Sequence, residues 1–333
     1  MGKKVVFTLF ICFIIASAVP SKGKDDDGGR NVKLLFAFGD SYADTGNLPS
    51  VSVSWKTPYG LTFPGEPSGR FSDGRVLTDY IASFFGVRAP LAYRRIKNFD
   101  AKSVVQNGIN FAHGGSGVFQ TLSDLPNMTT QIDFLQQLVE KNVFSTHDLS
   151  SSIALVSVAG NDYGAYLARN GAFQGLEGFS RSVINQLMSN VRRLNSFGIK
   201  KIFMTGIGPL GCLPQSTASN SYQNCNAALN NFSMSHNQLL EQNIFHLNSE
   251  AASPVFSYLD LYTSFLSALG GVPNRLKPCC IGGCGGVDKN GEKRYVVCED
   301  VSRSIFWDSI HPSDSGWGAV FSALRESMQT SLV

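Results

Sequence analysis

The chain of 333 residues has few charged side chains, and this scarcity excludes some classes of partner. Asp, Glu, Lys and Arg make up 16% of the residues, well under the ~25% that is usual for globular proteins. The formal net charge is only +3. Nucleic-acid binding normally needs a concentrated basic face, so no nucleic-acid partner is expected. Hydrophobic residues make up 43% of the chain and aromatic residues 11%, which excludes wholesale disorder.

Long apolar runs are also scarce. The sequence contains a single one, at residues 5–19. Without a second run, a multispanning membrane protein is excluded. Lys3 and Lys4 precede the run, a small-x-small cleavage pattern ends at Ala18, and polar residues follow. The run is shorter than the ~20 residues that a spanning helix needs. We therefore predict a signal peptide at residues 1–18 and a flexible tail at 19–31. The mature protein is expected to be secreted to the extracellular space, with no stable membrane anchor after cleavage.

Cysteine is present seven times, and Cys12 would leave with the signal peptide. An even number in a secreted chain indicates disulfides. Cys212 and Cys225 are expected to close a local loop, while the other four would staple the Gly-rich stretch at 273–298. The alternative for that cluster is zinc, but it lacks paired C-x2-C knuckles and a nearby His. The six mature cysteines are Cys212, Cys225, Cys279, Cys280, Cys284 and Cys298.

Two triplets match the acceptor pattern for N-glycosylation, in which Asn is followed two residues later by Ser or Thr. They begin at Asn127 and Asn231. Because the chain is predicted to pass through the secretory pathway, we expect both to be modified.

Apolar runs alternate with stretches of helical periodicity along the chain, which predicts a parallel sheet covered by helices on both faces. The predicted fold is thus a three-layer α/β/α arrangement within a single domain at 32–333. Two stretches, 48–71 and 273–298, remain irregular, and we expect the first to shape a binding pocket. The predicted strands are 32–38, 109–112, 153–159, 201–205 and 255–259, and the predicted helices are 129–141, 179–197, 227–248, a short one ending at 269, and 316–332.

A candidate nucleophile follows the first predicted strand, in the stretch Gly39-Asp40-Ser41. Open α/β sheets bind ligands at the carboxyl ends of their strands. A serine on a Gly-preceded turn there can present its hydroxyl to a crevice. Alone this signal is weak, since serine is common in turns.

A candidate base lies near the C-terminus, where Asp308 precedes His311 by three residues. In a tight turn the carboxylate can fold back onto Nδ1, which leaves Nε2 free to accept a hydroxyl proton. The alternative interpretation is that Asp308 and His311 are surface residues in a loop without a catalytic role. The other candidate base is His113, within a glycine run.

Acyl transfer to a serine builds negative charge on the former carbonyl oxygen of the substrate. Two segments offer hydrogen-bond donors to this oxyanion. Residues 110–117 are glycine-rich, so their backbone N–H groups can approach a ligand closely. Asn161 follows another predicted strand and offers a carboxamide. Such donors are worth ~10²–10³ in rate each during acyl transfer.

Two well-known patterns are absent or interrupted. The G-x-S-x-G pattern of α/β-hydrolases does not surround Ser41. Residues 206–211 satisfy the dinucleotide pattern G-x-G-x-x-G, but Pro209, Cys212 and Pro214 interrupt the helix that the third glycine should open.

In their order and spread, these segments resemble the plant-type GDSL esterase/lipase family of the SGNH hydrolases. The matching blocks are 36–47, 108–117, 158–162 and 306–317, together with 206–214. Tyr42 stands where the family's name-giving tetrad ends in leucine. The resemblance implies a flavodoxin-like fold and a serine esterase or lipase. Ser41 would be its nucleophile, His311 its general base and Asp308 the residue that orients the imidazole.

The resemblance further implies that Asn161 and Gly115 donate to the oxyanion beside the Ser41 N–H. Gly114, one residue earlier in the loop, is the alternative to Gly115. Asp44 and Asn47 are interpreted as structural or supporting residues.

The substrate would be a small-molecule or lipid ester, with no metal or organic cofactor. A transacylase with the same residues, or a binding protein on a hydrolase scaffold, remain alternatives, and the oligomeric state is left open.

Overall fold

The apolar segments form one parallel sheet in the computed structural model, which describes residues 32–96, 105–251, 253–270 and 275–330. The predicted signal peptide and tail lie outside the described residues. Every neighbouring pair of strands is parallel, in the order β2-β3-β1-β4-β5-β6. The strands are β1 Leu34–Gly39, β2 Leu91–Ala92, β3 Gly108–Asn110, β4 Ser152–Ser157, β5 Lys201–Thr205 and β6 Phe256–Leu259.

Strand β1 lies inside the sheet and all of its residues are buried. Phe36 and Phe38 pack on one face of the sheet, whereas Leu35 and Ala37 pack on the other. A strand that is covered on both faces needs apolar residues at every position, which is why its sequence is a continuous apolar run.

Helices cover both faces of the sheet, which confirms the predicted three-layer α/β/α fold. Helices α3, α6 and α8 pack on the face that carries Phe36. Helices α1, α9 and α10 pack on the face that carries Leu35. The helices are α1 Leu77–Phe84, α2 Tyr93–Ile96, α3 Met128–Glu140, α4 Thr146–Ser150, α5 Gly160–Ala168, α6 Leu176–Ser196, α7 Pro214–Thr217, α8 Ala227–Glu250, α9 Leu261–Leu269 and α10 Asp314–Thr330.

The stretch at 273–298, expected to be irregular, instead contains an antiparallel hairpin of β7 (Cys280–Val287) and β8 (Lys293–Val297). Four glycines and two cysteines in β7 hide the alternation that normally reveals a strand. Three disulfides confirm the predicted role of the cysteines, including the expected local loop. They are Cys212–Cys225, Cys279–Cys298 and Cys280–Cys284.

Helix α5 was also not predicted, because Gly160 and Gly164 lower its intrinsic helix propensity. None of the helices in the described ranges is both long and apolar enough to cross a membrane.

Candidate active site

The candidate residues meet at one edge of the sheet. Ser41 follows β1, the glycine loop at 111–117 follows β3, and Asn161 lies in the first turn of α5, directly after β4. The carboxyl ends of parallel strands share an edge, so these segments converge there. Ser41, Gly115 and Asn161 line the same cavity of about 400 Å³.

Ser41, His311 and Asp308 form a continuous chain of hydrogen-bonding contacts. Ser41 Oγ lies 2.9 Å from His311 Nε2, although the two residues are 270 positions apart in the sequence. His311 Nδ1 lies 2.8 Å from Asp308 Oδ2 and 2.9 Å from Oδ1. All three residues are buried. With the Nδ1 proton directed at the carboxylate, Nε2 is the nitrogen that can accept the hydroxyl proton of Ser41.

A tight turn holds the Asp308 carboxylate against the imidazole. Asp308 Oδ1 accepts hydrogen bonds from the N–H groups of Ile310, at 2.9 Å, and His311, at 2.8 Å. The Trp307 N–H closes the turn by donating to the His311 carbonyl at 2.7 Å. Burial by itself would raise the pKa of Asp308. The neighbouring His311 and the N–H donors outweigh burial and lower that pKa below its ordinary value.

The stretch at 48–71 packs behind these two residues. Tyr59 donates its hydroxyl proton to Asp308 Oδ2 at 2.8 Å. The ring of Phe71 stacks on the His311 imidazole, with centroids 4.8 Å apart and an interplanar angle of 29°. The sequence carries no signal for these contacts, because Tyr59 and Asp308 are 249 residues apart.

The turn that presents Ser41 is held by a buried amide on α3. Gln131 Oε1 accepts from the Gly39 N–H at 2.8 Å, and Gln131 Nε2 donates to the Gly39 carbonyl at 2.9 Å. Gly39 has a φ of +137°, and a Cβ there would lie 1.8 Å from the Ser157 carbonyl oxygen. Only glycine therefore allows β1 to turn into Ser41 at this point.

Tyr42, the departure from the family tetrad, links the two ends of the site. Its hydroxyl donates to the Ile310 carbonyl at 3.0 Å, and its ring packs edge-on against Trp317, with centroids 5.1 Å apart. The tyrosine thus connects the turn that carries Ser41 to the turn that carries His311.

The two glycines that the sequence left as alternatives have different surroundings. The Gly114 N–H donates to Asp44 Oδ2 at 2.9 Å, and a Cβ at Gly114 would lie 2.4 Å from the Phe71 ring. Gly115 has a φ of +84° and lines the cavity, and its N–H has no hydrogen-bond partner among the described residues. Gly115 is therefore the one whose N–H can meet a ligand.

Asp44 and Asn47 join the Ser41 turn to the glycine loop. Asp44 Oδ1 accepts from the N–H groups of Gly46 and Asn47, both at 2.7 Å. Asn47 Nδ2 donates to the carbonyls of Asn110 and Ala112, both at 2.8 Å. Neither side chain is among the residues that line the cavity. Burial raises the pKa of Asp44 to about 6, although three N–H donors oppose the shift.

Asn161 is held at the start of α5 by one hydrogen bond and by an unusual backbone. Its Nδ2 donates to the Ser116 carbonyl at 2.9 Å, which leaves the second amide proton for a ligand. Two positions before Asn161, Ala159 is fully buried with a φ of +122°. A non-glycine residue in that region costs ~1–3 kcal/mol and persists only where the surroundings enforce it.

The cavity wall is mainly apolar, and a loop after β5 contributes much of it. Asn237 anchors this loop, because its Oδ1 accepts from the Ile207 N–H at 2.8 Å and its Nδ2 donates to the Ile207 carbonyl at 2.9 Å. No residue of 48–71 is among those lining the cavity, so the expectation that this stretch shapes the pocket directly is wrong. The apolar lining consists of Leu122, Val158, Ala165, Ile207, Leu210, Leu213, Leu261 and Ile310.

Asp40 is the single acidic or basic side chain among the described residues that line the cavity. Its Oδ1 accepts from the Tyr42 N–H at 3.0 Å. Burial raises its pKa to about 7, against the opposing effects of that N–H and of His311. No Lys or Arg among the described lining residues could pair with an anionic ligand.

The remaining sequence candidates, and Ser116 of the glycine loop, lie away from this contact chain. His113 Nδ1 is 2.8 Å from the Phe111 carbonyl oxygen, and Ser116 Oγ donates to the Pro126 carbonyl at 2.8 Å. Asn127 caps the N-terminus of α3, where its Oδ1 accepts from the Thr130 N–H at 3.0 Å. Asn231 is exposed on α8. Among the described residues, no group of three or more His, Cys, Asp or Glu side chains is arranged to hold a metal ion.

Residues 35–324 match the family model described as GDSL-like Lipase/Acylhydrolase. Two GDSL esterase/lipases of Arabidopsis thaliana are 46% and 47% identical to this chain. The first alignment covers 90% of this chain and 88% of the relative, and the second covers 98% of each. Acetylajmalan esterase 2 of Rauvolfia serpentina is 29% identical, over 84% of this chain and 86% of that protein.

Among solved structures, a catalytic mutant of the acetylxylan esterase Axe2 from Geobacillus stearothermophilus aligns with a TM-score of 0.43 and 13% identity. The alignment covers 90% of this chain and 93% of that one.

Proposed function

Because the chain belongs to the GDSL lipase/acylhydrolase family and is a carboxylic-ester hydrolase, we propose that it works through a Ser41–His311–Asp308 triad and an acyl-enzyme intermediate. The observation that carries the proposal is the unbroken line of contacts from Ser41 Oγ through both imidazole nitrogens to the Asp308 carboxylate.

In the first half-reaction, Ser41 Oγ attacks the ester carbonyl carbon while its proton passes to His311 Nε2. The carbonyl π pair moves onto oxygen and gives a tetrahedral oxyanion. When this collapses, the bond to the alcohol oxygen breaks and the alcohol takes the proton from Nε2. The acyl group remains on Ser41.

In the second half-reaction, water replaces the alcohol and gives a proton to His311 Nε2 as it attacks the acyl carbon. Collapse returns that proton to Ser41 Oγ and releases the carboxylic acid. Throughout, Asp308 holds the imidazole with its Nδ1 proton inward and stabilises the imidazolium that forms in each half-reaction.

The oxyanion would be met by the Ser41 and Gly115 N–H groups and by the second amide proton of Asn161. Ser41 N–H, like that of Gly115, has no hydrogen-bond partner among the described residues. All three residues line one cavity. Donors that are already fixed before the reaction stabilise developing charge without reorganising, which is their catalytic advantage.

The substrate class follows from the cavity wall. Its apolar side chains favour a hydrocarbon acyl or alcohol group, and no Lys or Arg is among the described residues that line it, which disfavours a substrate with a free carboxylate. We therefore propose uncharged small-molecule or lipid esters as substrates. A panel of esters that differ in chain length and charge, assayed by kcat/KM, tests this assignment.

The nucleophile is tested by treating the purified protein with an organophosphonate and mapping the adduct by peptide mass. We expect the label on Ser41, and a Ser41→Ala variant that folds normally but has lost nearly all esterase activity. A label on Ser116 with Ser41 free would overturn the assignment. Including an alcohol acceptor and measuring the ester product against the free acid separates hydrolysis from transacylation.

Secretion and glycosylation are proposed on sequence and structural grounds. The signal-like segment at residues 1–18 and the three disulfides support passage through the secretory pathway. Asn231 is exposed on α8, and Asn127 can carry a glycan on Nδ2 while its Oδ1 still caps α3. N-terminal sequencing of the mature protein should begin after Ala18. Glycosidase treatment should lower its mass, and peptide mapping should place the loss at these two asparagines.

A further inference from the structure

Among the described residues, the Asp308 carboxylate has one hydrogen-bond partner that its own turn does not supply. Oδ1 is satisfied within the turn by the N–H groups of Ile310 and His311. Oδ2 receives the Tyr59 hydroxyl at 2.8 Å and also faces His311 Nδ1 at 2.8 Å. Tyr59 therefore shares with His311 the oxygen that faces the imidazole.

Tyr59 is itself held rigidly. It is 3% exposed, and its ring packs edge-on against Trp307 and Phe71, with centroids 6.0 and 6.1 Å away. Phe71 in turn stacks on His311. Because Trp307 directly precedes Asp308, the hydroxyl is fixed relative to both partners of the Asp308–His311 pair.

We propose that Tyr59 is a positioning residue for ester hydrolysis, whose hydroxyl fixes the plane of the Asp308 carboxylate and withdraws part of its negative charge from His311. Two effects follow. The carboxylate keeps Oδ2 facing Nδ1 through the catalytic cycle. The imidazolium is also stabilised less strongly than it would be by a carboxylate with no second donor, because Tyr59 and His311 share the same carboxylate oxygen. The proposal rests on the roles proposed above for Ser41, His311 and Asp308.

Among the described residues, few other titratable groups interact with the Asp308–His311 pair. On the opposite side, Tyr42 and Asp40 lie on the turn that carries Ser41, and both interact electrostatically with the pair. Burial, and then the nearby Asp308 carboxylate, raise the pKa of Tyr59, so its hydroxyl stays protonated as a donor across the working pH range. Among the described residues, Tyr59 is thus the one group outside the Asp308 turn that donates a hydrogen bond to the Asp308 carboxylate.

The test compares wild type with Tyr59→Phe, which removes only the hydroxyl and keeps the ring in its aromatic contacts. We expect kcat to fall about 5- to 20-fold, part of the effect of a hydrogen bond to a charged group. KM should be unchanged, because Tyr59 does not line the cavity. The acid limb of kcat/KM should move to higher pH, since the carboxylate would then hold the imidazolium more tightly. A purely structural role would lower activity or melting temperature without moving this limb.

Tyr295→Phe is the matched control. Its hydroxyl donates to the Thr57 carbonyl at 3.0 Å, two residues before Tyr59 along the chain, and does not contact Asp308. This variant should keep the wild-type kcat and pH profile. An unmoved acid limb in Tyr59→Phe, or an equal shift in Tyr295→Phe, would overturn the proposal.

A double-mutant cycle with Asp308→Asn provides an independent readout. If Tyr59 acts through the Asp308 carboxylate, Tyr59→Phe should cost little further activity in the Asp308→Asn background. An undiminished loss there would show that Tyr59 acts elsewhere. Failure of the triad itself is distinguishable, because it would appear as full activity in Ser41→Ala, whatever the result for Tyr59.

Discussion

The Asn161 carboxamide would donate two hydrogen bonds, one to the oxyanion and one that holds the structure. Replacing Asn161 by alanine measures the contribution of each. One Nδ2 proton is already used at the Ser116 carbonyl, 2.9 Å away. The other is available to an oxyanion in the cavity that Asn161 lines. Asn161→Ala removes both interactions, and they contribute to different measurable quantities.

The two losses differ in size. Removing one donor to an oxyanion costs ~10²–10³ in kcat, or about 3–4 kcal/mol of transition-state stabilisation. Removing the hydrogen bond to Ser116 costs about 1 kcal/mol of folding stability, which for a domain of this size lowers Tm by about 2 °C. The expected result is thus a severe loss of kcat, a small loss of Tm and a modest change in KM, since the oxyanion exists only after substrate has bound.

The assay measures kcat and KM on one soluble ester, together with Tm by calorimetry. Asn161→Asp is a useful companion, because it keeps the size of the side chain but replaces the donor with a carboxylate that would repel the oxyanion. It should be at least as inactive as Asn161→Ala. A wild-type kcat in Asn161→Ala, with only Tm lowered, would refute the donor role and leave Asn161 as a residue that shapes the start of α5.

Three further predictions concern the base, a buried histidine and the cysteines. Asp308→Asn can stabilise the wrong imidazole tautomer, so kcat should fall at least ~10²-fold, and His311→Ala should lose more; near-normal rates in both would contradict the proposed base. Burial lowers the pKa of His236 to about 4, below the ~6.5 of an unfolded chain. The unfolded state therefore binds the extra proton first, and stability should fall by about 3 kcal/mol as pH drops from 6.5 to 4. Chemical denaturation across that range should show this fall in wild type but not in His236→Gln. His246→Gln, on the exposed face of the same helix, is the control. Parallel plots of unfolding free energy against pH for wild type and His236→Gln would refute the prediction. Thiol titration of the denatured, unreduced mature protein should give about zero, and two or more titratable thiols would contradict the three disulfides.

Much of the fold was predictable because parallel strands and long helices leave local patterns. The strand over Lys201–Thr205 was predicted to the residue, and α3 and α8 were predicted within two residues at each end. Burial on both faces demands continuous apolar runs, and helices packed on one side demand a period of about 3.6 residues. The β7–β8 hairpin escaped because its glycines and disulfide-bonded cysteines replace the usual alternation of apolar and polar residues.

The candidate catalytic residues were also accessible from sequence, because each belongs to a short motif whose chemistry depends on residue type. Ser41 follows a strand end, and Asp308 and His311 are three residues apart, a spacing that a single turn can close. The choice between Gly114 and Gly115 was not accessible. It depends on which N–H is already bound to Asp44, a residue 70 positions away in the chain.

The supporting contacts were decided by tertiary structure alone. Tyr59 reaches Asp308 across 249 residues, and Gln131 reaches Gly39 across 92. Neither segment contains a local pattern that indicates the partner, since tyrosine is common in irregular stretches and glutamine is common on helices. The sequence by itself thus specified most strands of the sheet, the long helices and the candidate catalytic side chains, because propensity, burial pattern and residue type act over a few neighbouring positions. Only the packed structure decided how those side chains are oriented and held, because their partners are brought together when distant segments pack at one edge of the sheet.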